Sequence, residues 1–179
     1  MDERLAVLAE ETQTLKIGGC YQPEDGPDDE CGEQVIQHLL HFASRGAMGI
    51  RGLGPGLAQK LVEGGLVESP ADLYYLREEQ LIALPGVGSK TALKLLFAIE
   101  GSRTRSLERV LVGLGLPGVG PSGAESIAAR LTNLEQLLGE ESMDLALGSL
   151  GLATQVEVSR FLDQTGTRNG VLRLAEALR

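Results

Sequence analysis

Tryptophan is missing from this chain of 179 residues, aromatic residues make up only 3% of it, and cysteine occurs twice. A core without aromatic bulk must come from Leu, Val, Ile and Ala, the residues of packed helices rather than of a sandwich rich in aromatic cross-strand pairs. Two cysteines cannot make a disulfide framework. No stretch reads as a signal peptide or as an 18-residue apolar span, so the expectation is a cytoplasmic protein with no membrane partner. Positive charge is also scarce, with 16 Lys and Arg against 25 Asp and Glu and a formal charge of −9. Taken alone, that balance argues against a polyanion as partner.

The charge is unevenly spread. Residues 1–34 hold ten acids against Arg4 and Lys16, so this arm carries −8 of the −9 and the remainder is close to neutral. The run from Gln22 to Glu30 is too polar and too rich in Pro and Gly to pack, which predicts a loop over residues 21–32. From Glu33 the apolar residues Val35, Ile36, Leu39, Leu40 and Ala43 fall at helical spacing, predicting a first helix to about Arg45 and an ordered domain over 35–179. Lys90, Lys94, Arg103, Arg105 and Arg109 against Glu100 and Glu108 give the body a local basic segment.

What is abundant is glycine, at 24 residues, about twice its usual share. Much of it recurs in register. Gly52-Leu53-Gly54, Gly86-Val87-Gly88 and Gly118-Val119-Gly120 are each followed, after three intervening residues, by Ala58, Ala92 and Ala124. A fourth copy is degraded to Ser149-Leu150-Gly151 with Gln155, and the starts lie 34, 32 and 31 residues apart. Neither the tetratricopeptide nor the ankyrin pattern is present. Each unit reads helix, glycine turn, helix.

Two glycines around one apolar residue allow a sharp reversal with φ > 0, the middle side chain anchors the turn, and the small Ala admits a close helix pair. The first amides of the second helix are then unpaired at a positive dipole end, a site for one backbone phosphate that touches no base edge. The second turn is the strongest, because Ser89 adds a hydroxyl and Lys90 a charge. The first has Arg51 before it and Gln59 and Lys60 after it, and loses a donor at Pro55. The third has Ser122 and loses a donor at Pro121. The fourth, beside Glu140, Glu141 and Asp144, reads as structural. Such turns also serve simply as packing devices, and a basic run is most often a solvated face. The rows Val110-Leu111-Leu114 and Leu93-Leu96-Phe97 read as core, and Tyr74-Tyr75 as a core edge. No acid–base role falls to Glu10, Glu11 or Asp28–Glu30, which have no histidine or metal-ligand pattern nearby.

These turns are helix-hairpin-helix motifs. His41-Phe42-Ala43-Ser44-Arg45-Gly46-Ala47-Met48, Ile50-Arg51-Gly52-Leu53-Gly54, Leu61-Val62-Glu63-Gly64-Gly65-Leu66-Val67 and Pro70-Ala71-Asp72-Leu73-Tyr74 resemble the corresponding region of bacterial NAD-dependent DNA ligases. Ala98-Ile99-Glu100-Gly101-Ser102-Arg103, Leu114 to Gly120, Phe161-Leu162 and Asn169 continue the likeness, which runs in order over residues 31–179. It implies an all-α fold of four tandem motifs in two pseudo-symmetric pairs, preceded by an irregular acidic arm, and binding of both strands of duplex DNA across the minor groove.

The departures from that family are informative. Its four-cysteine zinc module is reduced to Cys20 and Cys31, and two thiolates cannot close a tetrahedral site. His38 and His41 could complete one, but histidines at i, i+3 on an amphipathic helix are more often boundary residues. The expectation is no metal and no cofactor. No Lys-x-Asp-Gly occurs, hence no lysine placed to take AMP, and the chain is not expected to act as an enzyme that seals a nick alone. Starting at Met-Asp, it reads as an independently encoded ligase-like accessory module in preference to the alternative of an excised fragment. The expected activity is sequence-independent binding of duplex DNA, nicked duplex included, in repair or replication, through Arg51, Gly52, Gly54, Gly86, Gly88, Ser89, Lys90, Lys94, Arg103, Gly118, Gly120 and Ser122. Four to six neutralised phosphates would give a log–log salt slope of roughly −4 to −5. Two alternatives remain open: a protein-interaction scaffold whose acidic arm engages a basic partner, and the non-catalytic part of such a ligase completed by another chain, a repair or ligase protein.

Overall fold

The computed structural model describes residues 29–179, with side chains from Gly32 onward except that of Thr165. Among these residues there are helices and no strands. Helix α1 spans Asp29–Ala43 and α2 Pro55–Glu63, followed by a 3₁₀ turn at Pro70–Tyr75 and then α3 at Glu78–Ile82 and α4 at Ser89–Ser102. The same order recurs about 64 residues further on, as α5 (Leu107–Leu114), α6 (Pro121–Ala128), a second 3₁₀ turn at Leu134–Leu138, α7 (Glu140–Leu147) and α8 (Leu152–Asp163). Helix α9, Thr165–Ala177, closes the described chain.

Helix α1 packs on α2 and α5 on α6, and the two halves meet where α1 lies against α5. Gly113 makes that approach possible: a Cβ there would sit 2.8 Å from the Phe42 ring, itself fully buried. The Phe42 ring in turn meets Tyr74 edge-on at 6.4 Å between centroids. Leu39, Leu61, Leu73, Leu95, Leu111, Ile127, Leu137 and Leu162 join them in one continuous aliphatic core, as the shortage of aromatics requires.

Helix α9 packs on both 3₁₀ turns and so ties the halves together. Asp72 accepts hydrogen bonds from the Ser69 amide and hydroxyl, closing the first turn, and its other oxygen pairs with Arg173 of α9 at 2.6 Å. At the second turn the Arg168 guanidinium donates to the Leu138 carbonyl at 2.9 Å. Val171 and Leu174, on the inner face of α9, are buried.

Two expectations need correction. Helix α1 begins at Asp29, inside the stretch predicted to be a loop, because an apolar stripe marks the packed part of a helix and not its first turn. Of the row Leu93-Leu96-Phe97 only Leu96, half-buried, packs against the core. Helix α4 turns Ala92, Leu95, Ile99 and Ser102 inward, leaving Leu93 and Phe97 exposed. The remaining core assignments hold: Val110, Leu111 and Leu114 are buried, and Tyr74 is buried while Tyr75 is half exposed.

One polar group sits poorly in this frame. His38 of α1 faces a cavity of about 200 Å³ shared with Val35, Pro70, Leu114, Phe161 and Leu174, and its Nε2 has no hydrogen-bond partner among the described residues. Burial, and secondarily the neighbouring His41, lower its pKa below the ordinary 6.5, and the main chain of Leu114 and Gly113 opposes this only in part. The unfolded chain therefore takes up this proton first, so the stability present above about pH 6.5 is lost as pH falls through 6.5 toward the lower folded value. The melting temperature of wild type should drop between pH 7.5 and 5.5, and His38→Leu should flatten that slope. Parallel pH profiles for the two proteins would exclude His38 as the cause.

Candidate nucleic-acid interface

The glycine turns divide the work between their two glycines. The first of each pair is left-handed, with φ of 99° at Gly52, 73° at Gly86 and 67° at Gly118. The second is extended, with φ of −95° at Gly54, −92° at Gly88 and −85° at Gly120, each serving as the N-cap of the next helix. Between them Leu53 and Val87 are buried and Val119 is half-buried, while Ala58, Ala92 and Ala124 lie at the helix contact with almost no exposure.

The fold itself does not demand the second glycine. Its φ suits any residue, and a Cβ built on Gly54, Gly88 or Gly120 would meet no atom within 4 Å. Around this open space the amides of Gly88, Ser89 and Lys90, of Gly54 and Gly56, and of Gly120 and Ser122 make no hydrogen bond among the described residues. No acidic residue occupies the first turn of α2, α4 or α6, although acids are the usual complement of a helix N-terminus. Each turn thus presents bare donors at a positive dipole end with room in front of them, an arrangement suited to a phosphate.

The fourth repeat differs. No non-glycine residue has positive φ among the described residues, so Ser149 does not reproduce the kink, and Gln155 donates its side-chain amide to the Leu150 carbonyl at 2.7 Å. Glu140 and Glu141 lie in the first turn of α7.

Side-chain charge is arranged less simply than the sequence suggests. Lys60, on α2, reaches across to the second turn and donates to the Pro85 carbonyl at 2.6 Å, with its ammonium 3.4 Å from where a Gly86 Cβ would lie. An ammonium has three donors, so two remain for an anion. Lys90, Lys94 and Arg51 are exposed and form no ion pair or side-chain hydrogen bond among the described residues. The Ser89 hydroxyl, in contrast, donates to Glu78 at 2.5 Å, so only its amide remains for a phosphate, and a carboxylate flanks the turn.

Arg103 stands apart from the turns. Its guanidinium donates to Glu100, to the Tyr74 carbonyl and to Ala177 of α9, and lies over the Tyr74 ring at 5.1 Å. Arg105 donates to the Met48 carbonyl, and Arg109 to the carbonyls of Ala47 and Arg45. These three arginines hold the loop before the first turn and the end of α9. Of the basic segment only Lys90 and Lys94 stay free among the described residues, and Lys60, which sequence proximity places with the first turn, has its ammonium at the second.

Among the described residues no group of His, Cys, Asp and Glu could hold a metal. His41 donates to the Val112 carbonyl at 2.7 Å. Cys20 and the side chain of Cys31 lie outside the described residues. No helix among those residues is long and apolar enough to cross a membrane.

Residues 45–100, which hold the first two turns, match the model of the SAM-like helix-hairpin-helix tandem. The chain carries a helix-hairpin-helix domain. Over most of its length it is similar to one region of DNA ligases: 43% identical over 136 residues to that of Carboxydothermus hydrogenoformans, covering 75% of this chain and 20% of the relative. The DNA ligase of Rubrobacter xylanophilus is 51% identical over 109 residues, 61% of this chain and 16% of the relative. That of Desulforamulus reducens is 34% identical over 151 residues, 84% and 22%. The chain spans about a fifth of the length of these relatives.

Proposed function

We propose that this chain is a sequence-independent, duplex-DNA-binding module that grips backbone phosphates with the main-chain amides of its first three glycine turns. The observation that carries the reading is the open space in front of Gly54, Gly88 and Gly120, where the amides are unpaired and no side chain of the described residues takes the place of a ligand. The likeness to DNA ligases supports a setting in repair or replication. With no Lys-x-Asp-Gly in the sequence, the module contributes binding and not nucleotidyl transfer, either alone or as the non-catalytic part of a ligase completed by another chain.

Because Arg103, Arg105 and Arg109 are held within the fold, the cations left for phosphate are Lys60, Lys90, Lys94 and Arg51. Neutralising about three phosphates gives a slope of log K against log salt near −3, shallower than the roughly −4 to −5 expected for four to six phosphates. Two duplexes of unrelated sequence should bind equally. Lys60→Glu and Lys90→Glu should each weaken binding about fivefold, consistent with loss of a charge-assisted phosphate contact, whereas Glu78→Gln should tighten it about twofold. Fluorescence anisotropy across a salt series measures all of these. Salt-independent binding, or none, would favour the scaffold reading, which the acidic arm and the charge of −9 support.

A further inference from the structure

Helix α4 carries an exposed face that the phosphate-gripping role leaves unused. Phe97, one of only three phenylalanines in the chain, is 84% exposed, and Leu93, one turn earlier, is 51% exposed. The opposite face of α4 carries its packing, so the fold has no use for this ring. Lys90, Lys94 and Phe97 fall at i, i+4 and i+7 and share one side of the helix. Neither lysine is paired among the described residues, while the nearby Glu100 is paired with Arg103 at 2.8 Å. The ring therefore lies beside two free ammoniums with no uncompensated acid on its own helix face. A purely apolar partner would have to desolvate both cations, whereas a polyanion that also offers π faces satisfies ring and charges together.

We propose that Phe97 is a stacking platform for an unpaired base, so that the module prefers duplex DNA interrupted by a gap over intact duplex. This rests on the second turn holding a phosphate. From Ser89 to Phe97 the helix advances about 12 Å, three to four nucleotides of rise at about 3.4 Å each, so a strand seated at the turn passes the ring a few nucleotides along. In intact duplex the bases there are paired and stacked away from the ring. In a gap one is free to meet it.

The absence of tryptophan supplies the probe, since Phe97→Trp introduces a single fluorophore. Its emission should be quenched by a gapped duplex and not by an intact duplex of equal length. Wild type should bind the gapped form about tenfold more tightly, as expected for one stacked base, and Phe97→Ala should bind both forms equally at the wild-type affinity for intact duplex. A retained preference in Phe97→Ala overturns the proposal, as does unchanged emission while anisotropy reports binding to gapped duplex. So does a retained preference accompanied by weaker self-association of Phe97→Ala in sedimentation, which would make the face a contact between copies. Failure of wild type to bind either duplex removes the phosphate reading as well, and the anisotropy arm distinguishes the two failures.

Discussion

Gly88→Ala should leave the fold standing and remove most of the DNA binding, whereas Gly86→Ala, two residues away, should damage the fold first. At Gly88 φ is −92° and an added methyl enters empty space. The change gives up a somewhat better N-cap and gains from a stiffer unfolded chain, effects of opposite sign and each about 0.5–1 kcal/mol. The melting temperature should move by no more than about 2 °C, at about 2–4 °C per kcal/mol for a domain of this size. The methyl would stand where a phosphate must come to reach the amides of Ser89 and Lys90. Losing one or two charge-assisted hydrogen bonds, about 1.5–3 kcal/mol each, lowers affinity tenfold or more.

At Gly86 the balance reverses. Its φ of 73° is left-handed, and a side chain there costs about 1–2 kcal/mol, with the Lys60 ammonium at 3.4 Å adding crowding. Thermal melts and anisotropy on the two variants separate the roles. Wild-type affinity in Gly88→Ala would show that the amides do not hold the ligand.

The division between the two glycines also marks how far the sequence could be read. The repeat of Gly-apolar-Gly with a following alanine identified the turns and their all-helical setting, because a left-handed corner and a close helix contact leave few residue choices. It did not reveal that the second glycine is extended and unconstrained by packing, since a glycine chosen for geometry and one that leaves space in front of a ligand are the same letter. The inward face of α4 was illegible for a related reason. Thr91-Ala92-Leu93-Lys94-Leu95-Leu96-Phe97-Ala98-Ile99 has apolar residues on every side, so periodicity supports more than one stripe, and only packing against α3 and the first 3₁₀ turn selects Ala92, Leu95 and Ile99.

Charge was the least legible part of the site. A guanidinium offers five donors in a rigid fork, and Arg103 and Arg109 use theirs on carbonyls 29 to 74 residues distant, partners that no local pattern announces. The shorter claim of lysine on fixed geometry left Lys90 and Lys94 in solvent. Lys60 belongs to the second turn only because α2 brings it there. A polyanion site in a chain of charge −9 would thus depend less on the number of cations than on which of them the fold leaves free, and on amides that carry no charge in any count.

That geometry holds only while the two halves stay in register, and Gly113 lies at the contact between α1 and α5. Gly113→Val should destabilise the chain by about 2–4 kcal/mol. Its Cβ alone would come within 2.8 Å and 3.3 Å of two Phe42 ring atoms and 3.5 Å of the Ala47 Cβ, and Phe42 is fully buried with Tyr74 against its edge. The ring has nowhere to swing, so either α5 is pushed off α1 or the core takes strained rotamers, a type of overpacking that costs about 1–3 kcal/mol before the β-branched methyls are added. The gain in helix propensity over glycine, below about 1 kcal/mol, does not offset it. Gly101→Ala on α4 is the matched control: nothing lies within 4 Å of its Cβ, and the same propensity argument predicts a gain of about 0.5 kcal/mol. Combining Gly113→Ala with Phe42→Leu should cost less than the two changes add up to, because the smaller side chain vacates the space the methyl needs. Urea melts of these five variants and of wild type read these values directly, and additive losses in the double variant would show that the halves are not held by this contact.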